Sequence, residues 1–447
     1  MNFTEEQKKI LDNFDKFMAF CIYVAVFFLP ISSAVLEIVF VLTTLSFIVK
    51  RSFVYSFKLR MQNKLSFFDK VELFVKSLSP ARSCLNKPIV WYLLICFFSI
   101  LASRYADVGL QGLFGKVFQG MSIYFIFIEV VNSRKRLFTF LSVFFVSIFL
   151  VMTNGIYQSF TKIGFIRQIP VNDGRVLSSF KHANDFAGYL VMIIPLLLTL
   201  VIMFNLDKAK ELVASSIEGM SKILYSNIFR YFVGILLVVS LICLGLTYSR
   251  GAWVSFFVSM VFLGSKKPKI LVFLLAFFLL FSSVFYFKMM KERKTDVHQN
   301  AFSLSDRDRY WRSAIYVIKD SPILGVGLNS YSLASKGYPA LKRSQDYWQG
   351  YPHNCYLHMA AEIGILGLMA FLFIIFNLFY HGFLNLKKIN DRFLHNMLLG
   401  LLVGFLGFLG HSFFDTSFYT TKLNVLLWMM MGLIVAVQNV AIRKNSD

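Results

Sequence analysis

Long apolar runs separated by short polar gaps make up most of the chain. Most of these runs approach the roughly 20 residues that a helix needs to cross a bilayer. The pattern predicts an all-α integral membrane protein, with residues 1–447 forming a single polytopic domain of about twelve transmembrane helices. The predicted spans are 17–29, 34–49, 88–103, 113–131, 137–160, 184–204, 229–248, 251–264, 270–287, 355–380, 393–412 and 424–442.

One long segment departs from this pattern. Residues 288–352 carry many charges, two tryptophans and several tyrosines. A loop of this length in a compact protein is usually functional or disordered, and its aromatic content argues against disorder. We therefore expect a large loop over 288–355, between spans 9 and 10, which carries short helices. Residues 309–331 are expected to pack at the membrane surface as a lid.

The charge pattern predicts the topology. The chain is 57% hydrophobic with a formal net charge of +22. Its basic residues gather in every second gap, including nine in residues 50–87 and three in 134–136. Positively charged gaps stay in the cytoplasm, so both termini are predicted to be cytoplasmic and the large loop external. This distribution also argues against a continuous nucleic-acid-binding face. The five cysteines show neither metal-ligand spacing nor a disulfide framework.

Several polar residues fall on the predicted outer side. Arginines there could hold a diphosphate through bidentate hydrogen bonds, and a histidine could accept a proton from an attacking hydroxyl. The candidate diphosphate-binding residues are Arg175, Arg250, Arg309 and Arg312, the candidate base is His353, and the supporting residues are His182, Asn184, Asn354, Glu362, His411 and Asp415.

Structural roles stay open for several of these residues. Arg250 could instead reach lipid phosphates, and His182 could be an interfacial polar residue. Asn354 could orient His353 or cap the next helix, and Asn184 could also be a cap. Glu362 falls within a predicted span, so it should pair with a cation or hydrogen-bond within the bundle.

No metal or other cofactor is predicted. The sequence contains no Walker-type loop and no His/Cys metal set, and we interpret Asp306-Arg307-Asp308 as an accidental match to a metal-binding Asp-x-Asp motif.

The motifs resemble those of the O-antigen ligase and polysaccharide polymerase family. The similar features are the Ser-Arg-Gly turn at 249–251, Arg309 with Trp311, the segment SPILGVGLNSY, and the passage from PHNCYL to AEIGILG at 352–367. This ligase-like core covers residues 247–378, and the Gly-Arg pair at 174–175 with FKHAN extends the likeness. Arg167 is close enough to be an alternative match to Arg175, which the motif context favours.

The resemblance implies a GT-C-like glycosyltransferase in the bacterial inner membrane. Such an enzyme would take a glycan from undecaprenyl diphosphate on the periplasmic side, with inversion and without metal. Arg175 and Arg250 would hold the diphosphate, His353 would activate the acceptor hydroxyl, and Arg309 and Arg312 would help. A ligase would use a lipid A–core acceptor, and a polymerase would use a lipid-linked repeat unit. A lipid or polysaccharide transporter and a non-catalytic scaffold are the alternatives from other classes.

Overall fold

A computed structural model describes residues 3–61, 66–202, 226–265, 304–337 and 351–443. These residues form α-helices, one π-helical segment and one short 3-10 turn. The α-helices are α1 (Glu5–Phe28), α2 (Ser33–Met61), α3 (Phe67–Leu78), α4 (Asn86–Leu101), α5 (Ala106–Gly112), α6 (Gln119–Val130), α7 (Arg134–Thr161), α8 (Ala183–Ile202), α9 (Asn227–Leu246), α10 (Arg250–Ser265), α11 (Leu304–Asp320), α12 (Tyr331–Gly337), α13 (Cys355–Leu386), α14 (Arg392–His411) and α15 (Thr421–Arg443).

Eight segments in the described part of the chain are long and apolar enough to cross a membrane. They comprise α2, the continuous segment Ala106–Val130, α7, α8, α9, α13, α14 and α15. Helices α4 and α10 are apolar but shorter. The predicted all-α membrane architecture is confirmed. The number twelve stays a prediction, since the proposed span 270–287 lies outside the described residues.

Helices α8, α14 and α15 form the centre of the bundle. Between 83% and 89% of their apolar windows are buried, whereas the value for α2 is 22% and that for α9 is 33%. The outer helices therefore turn apolar side chains toward lipid. Gly400 and Gly404 bring α14 close to α8, because an added Cβ would overlap Thr199 and the carbonyl of Met192. Small residues commonly allow such close approach between membrane helices.

The polar segments between the apolar helices lie at the two ends of the bundle. At one end, the Lys50 ammonium lies 2.7 Å from carboxylate oxygens of both Asp15 and Glu129, and Arg134 lies 2.7 Å from Asp391. These ion pairs join only segments that the sequence assigns to the cytoplasmic side. Segments assigned to the outer side meet at the other end of the helices, as the alternation predicts.

Helix α13 is interrupted two turns after it begins. Ile363 and Gly364 have non-helical backbone angles, with a φ of +72° at Gly364. The segment 322–327 fills this break with backbone hydrogen bonds. Gly327 N–H donates to Glu362 O at 2.8 Å, and Ile365 N–H donates to Pro322 O at 2.8 Å. We call residues 322–327 and 361–365 together the loop–helix clamp.

The clamp depends on glycines. A Cβ at Gly364 would overlap the carbonyl oxygen of Ile323, and one at Gly325 would overlap the backbone of Glu362. Both glycines also have positive φ, which side chains disfavour. Within the predicted lid over 309–331, residues 322–327 therefore pack on α13. The backbone of that part is hydrogen-bonded to α13, so it forms a fixed wall.

Candidate active site

Arg175 follows a two-residue turn. Asp173 and Gly174 both have positive φ, and Arg175 N–H donates to Asn172 O at 2.8 Å across them. Asp-Gly is a sequence that favours such a type I′ turn. The turn directs the chain back toward the bundle, and Val176 N–H then donates to Leu246 O at the end of α9.

Two buried polar side chains of α7 hold this segment in place. The Gln158 side-chain oxygen accepts hydrogen bonds from Leu177 N–H at 3.0 Å and Ser178 N–H at 2.7 Å. The Asn154 amide donates to the Ser178 hydroxyl at 3.0 Å, and its oxygen accepts from Ile166 N–H at 3.0 Å. Since buried backbone N–H groups need partners, these residues fix the backbone that carries Arg175.

The guanidinium of Arg175 bridges two helices and faces an acidic residue. Its Nε donates to Thr247 O at 2.8 Å, and a terminal nitrogen donates to the Asn184 side-chain oxygen at 2.5 Å. Burial lowers the pKa of Arg175 from its ordinary value, the charge of Asp415 opposes this, and the neighbouring charge of Arg250 adds to it. Asn184, considered as a helix cap, therefore positions this guanidinium.

Arg250 begins α10 after a tight turn. Tyr248 takes a φ of +49° in that turn, and the following Gly251 packs against Phe414, whose Cβ would lie 2.7 Å from an added Cβ. The close packing brings the start of α10 to the segment that carries Asp415. Arg250 itself is exposed and lies within electrostatic range of Arg175.

His353 stands just before α13 in a strained conformation. Its φ is +50°, which is uncommon for a residue other than glycine. Its Nδ1 lies 3.4 Å from a carboxylate oxygen of Asp415, and its side chain is 29% exposed. Asn354 caps α13, because its side-chain oxygen accepts from Tyr356 and Leu357 N–H. The capping alternative for Asn354 therefore fits the observed bonds.

Asp415 is the acidic centre of this group. Burial opposes its ionisation, but the hydrogen bond to His353, the charges of His411 and His353 and the Thr416 N–H outweigh burial and lower the pKa of Asp415 to about 2. Its backbone carbonyl accepts from the Cys355 thiol at 3.2 Å. Asp415 therefore stays ionised at neutral pH and is fixed at the start of α13.

His411 and His182 surround this group. His411 is buried, and its Nε2 lies 3.1 Å from the carbonyl oxygen of Asn184. His182 is exposed to solvent on one side, and partial desolvation of its ring by the surrounding protein, followed by the charge of Lys181, lowers its pKa. Arg167 donates to Ser179 O at 3.2 Å, whereas Arg175 faces Asp415. This geometry agrees with the choice of Arg175 over Arg167.

Helix α11 covers the site with an arginine that the motif analysis did not select. Arg307 lies over the ring of Phe414 at 5.8 Å and interacts electrostatically with Asp415 and Arg250. Burial is the main reason that its pKa lies below the ordinary value. Arg312 instead pairs with Asp308 at 2.6 Å, with both side chains more than half exposed, and Arg309 is exposed.

We call this group of residues the outer cluster. Its members are Arg175, His182, Asn184, Arg250, Arg307, His353, His411 and Asp415. The three arginines lie within electrostatic range of Asp415 or of one another, so positive charge exceeds negative charge. Guanidinium groups suit the bidentate binding of phosphates, while a histidine with a carboxylate on one ring nitrogen can use the other nitrogen as a base.

A second polar group, which the sequence analysis found only in part, lies deeper. Glu362 is buried, as predicted, and its Oε1 lies 3.2 Å from His358 Nε2. The ring of His358 stacks on that of Tyr419 at 3.6 Å, and Glu362 also interacts electrostatically with Lys116. A charged residue inside the predicted span 113–131 was the one available indication for Lys116.

A larger cavity lies away from these groups. Its volume is about 920 Å³, and Lys387, Arg392 and His395 are among its lining residues. Arg392 begins α14 and His411 ends it, so about 30 Å of helix separates this cavity from the outer cluster. Among the described residues, no group of three or more His, Cys, Asp or Glu side chains could hold a metal ion.

Comparison with known proteins finds a match for the central part of the chain. A search of curated proteins finds no match. The family model for O-antigen ligase matches residues 235–372, a range that contains Arg250, Arg307, His353 and Glu362 but not Arg175 or Asp415. This match supports the resemblance to the O-antigen ligase family that the motifs in the sequence predicted.

Proposed function

We propose that the protein is an O-antigen ligase. It transfers a glycan from undecaprenyl diphosphate to a sugar hydroxyl of lipid A–core at the periplasmic face of the bacterial inner membrane. The observation that carries the proposal is that Arg175 and Arg307 lie within electrostatic range of the Asp415 that contacts His353, with Arg250 within range of both arginines. These residues come from five separate parts of the chain. The match to the O-antigen ligase family supports the same reaction class.

We assign a role to each residue of the outer cluster. Arg175, Arg250 and Arg307 bind the diphosphate, where their mutual repulsion is relieved by the bound anion. Arg309 and Arg312 contribute less directly from the exposed side of α11. Asp415 orients His353 through Nδ1, so that Nε2 is the nitrogen that accepts the proton. Asn184 and His411 support Arg175 and Asp415, while His182 lines the approach.

The reaction needs one proton transfer and one displacement. His353 Nε2 accepts the proton of the acceptor hydroxyl, and the resulting oxygen attacks the anomeric carbon of the donor glycan. The bond from that carbon to the diphosphate oxygen breaks, and its electron pair leaves with undecaprenyl diphosphate. Attack from the face opposite the leaving group inverts the anomeric centre. The arginines stabilise the charge that develops on the diphosphate, a role that requires no metal.

The test is transfer in a reconstituted membrane. Purified protein in liposomes should transfer an undecaprenyl-diphosphate-linked glycan to lipid A–core, and Arg250→Ala protein should insert normally but lose transfer. Normal transfer by the Arg250→Ala variant would refute the assigned site. Activity that disappears with chelator and returns with Mg²⁺ would refute the metal-independent mechanism.

A polymerase of the same fold is the second candidate, since the matched family model describes the domain and not the acceptor. Deletion of the protein separates the two. Bare lipid A–core with accumulated long lipid-linked chains indicates a ligase, whereas core capped with a single repeat unit indicates a polymerase. Unchanged surface glycans on the gel would contradict both candidates and would favour a transporter or scaffold for another molecule.

A further inference from the structure

A small, mostly apolar cavity with a few polar lining groups lies beside the outer cluster and has no role in the reaction described above. Its volume is about 50 Å³. The elements that surround it are α4, the segment Ala106–Val130, the loop before α12, helix α13, the 3-10 turn and α15. The lining residues used in the argument are Lys116, Asn329, Glu362, Tyr419, Asn424 and Trp428.

Glu362 offers an unused acceptor in this cavity. Its Oε1 accepts from Tyr331 N–H at 3.2 Å and lies near His358. Its Oε2 is buried and makes no hydrogen bond of normal geometry within the described part of the chain, and the Tyr419 hydroxyl is a side-chain donor that interacts with the carboxylate. A buried carboxylate oxygen without a partner is costly, so a donor from a ligand or water should occupy the cavity.

The wall of the cavity is built from unusual backbone. Lys116 lies in the π-helical segment Leu113–Phe118, a conformation that is rare and frequent at functional sites. Its ammonium donates to the Asn329 side-chain oxygen at 2.7 Å, and Asn329 has a φ of +59°. Glu362 ends the upper part of α13 at the helix break. Three local departures from regular structure therefore meet at one cavity.

The cavity adjoins the base through shared elements. Glu362 lies eight residues after the cap residue Asn354, which corresponds to about 12 Å of helix. Tyr419, at the mouth of the cavity, follows Asp415 by four residues on the same outer segment. The arginines come from other elements, namely the segment before α8 and helices α10 and α11. A second substrate could therefore reach His353 from the side of the cavity.

The chemistry of the lining fits sugar hydroxyls. A hydroxyl can donate to Glu362 and accept from Lys116, whereas an anion would meet the carboxylate and a cation would meet the ammonium. The rings of Tyr419 and Trp428 supply the apolar surface against which a sugar ring packs. Because the cavity is small, hydroxyl groups enter it, and the ring stands at the mouth, where Lys116, Asn329 and Tyr419 are half-buried.

We propose that this cavity is an acceptor subsite that binds a sugar adjacent to the one whose hydroxyl reacts. The inference rests on the proposed transfer function. It applies to both acceptor sources, because lipid A–core and an undecaprenyl-linked repeat unit both present sugar hydroxyls. The subsite selects the acceptor, while the outer cluster binds the donor.

The experiment separates acceptor binding from catalysis. The full chain in nanodiscs is assayed with each acceptor in turn, and the KM for acceptor, the KM for donor and kcat are measured for wild type, Glu362→Gln and Asn329→Ala. The Glu362→Gln variant keeps an oxygen for Tyr331 N–H. We expect the acceptor KM to rise at least about tenfold for the preferred acceptor, with donor KM and kcat within about twofold of wild type. Glu72→Gln on the exposed helix α3 is the matched control.

Two results would overturn the subsite. One is an unchanged acceptor KM in both variants. The other is a fall in kcat together with an equal rise in the donor KM, which would indicate a structural role. Quenching of Trp428 fluorescence by each acceptor alone, with Trp428→Phe as the blank, gives a readout that needs no transfer. If the wild type transfers glycan and the acceptor KM of both variants is unchanged, the subsite is refuted but the ligase proposal is not. Acceptor binding that Glu362→Gln weakens, without any transfer by wild type, refutes the ligase proposal alone.

Discussion

The outer cluster and the loop–helix clamp share the passage 352–367 but are held together in different ways. The outer cluster joins side chains from separate elements, and most of its contacts involve charged groups. The clamp joins two short segments through backbone hydrogen bonds and glycines. The passage 352–367 contributes to both, with His353 in one and Gly364 in the other. A single motif can therefore carry chemistry at one end and architecture at the other.

The largest effect on activity is expected at His353. We choose His353→Asn, because asparagine tolerates the positive φ at this position better than alanine does. Loss of the base should lower kcat for transfer by about 10² to 10⁴-fold, with an unchanged thermal unfolding temperature. His381→Asn, on the same helix at its other end, is the control. A variant that keeps wild-type kcat would remove His353 from the mechanism.

A substitution in the loop–helix clamp should affect the stability of the protein first. Gly364→Ala introduces a Cβ into the Ile323 carbonyl oxygen at a positive φ, so we expect a loss of at least about 3 kcal/mol in the free energy of unfolding. Gly234→Ala, where no atom lies within 4 Å of the added Cβ, should be neutral or slightly stabilising. Thermal unfolding in detergent measures both. Equal stability of the two variants would contradict the clamp.

Much of the frame follows from the sequence, whereas the clamp does not. Apolar runs predicted the helices, and Asn354 before an apolar run was a recognisable cap candidate. The partners of Gly364 could not be predicted, because they lie about 40 residues earlier and act through the backbone. Similarly, Lys116 and Glu362 are distant in the chain. The motif favoured Arg309 and Arg312, but helix packing turns Arg307 toward Asp415, since only the three-dimensional phase of α11 decides which arginine faces the site.

A substitution of Asp415 tests whether the orientation of the proposed base, His353, matters for transfer. Asp415→Asn should lower kcat by about 10²-fold, since a misplaced catalytic group can cost that much. With a folded pKa of about 2 against an ordinary value near 3.9, the contribution of ionised Asp415 is present above about pH 4 and is lost as the pH falls through the folded value. The ratio of wild-type to variant kcat should therefore stay constant between about pH 5 and pH 8. A ratio that approaches one at the acidic end of this range would show that Asp415 titrates there.

A substitution of Gln158 tests whether this side chain holds the segment that carries Arg175. Gln158→Leu leaves the N–H groups of Leu177 and Ser178 without their acceptor, at about 1–3 kcal/mol each. The donor KM should rise more than kcat falls, because the arginine that binds the diphosphate is displaced. Thr153→Val on the same helix removes a hydroxyl that bonds only within α7. Equal donor KM values for the two variants would argue against this support.

The smallest expected effects concern the donor KM after substitution of either of two arginines in α11. Arg307→Ala should raise the donor KM by roughly tenfold, since a charge-assisted hydrogen bond is worth about 1.5–3 kcal/mol. Arg312→Ala breaks an exposed pair with Asp308, and such pairs are worth about 1 kcal/mol or less. Steady-state kinetics with varied donor concentration checks both. A larger effect of Arg312→Ala would restore the assignment based on the motif.

The break in α13 also has a consequence for how the protein sits in bilayers of different thickness. The part of the helix after Gly364 runs to Leu386 and is about 33 Å long at 1.5 Å per residue, enough to span the hydrocarbon layer by itself. The short part above it is tied to Ser412 and to the clamp by backbone hydrogen bonds. Tilting of the lower part in response to hydrophobic mismatch can thus be absorbed at the break, and His353 keeps its height above the lipid.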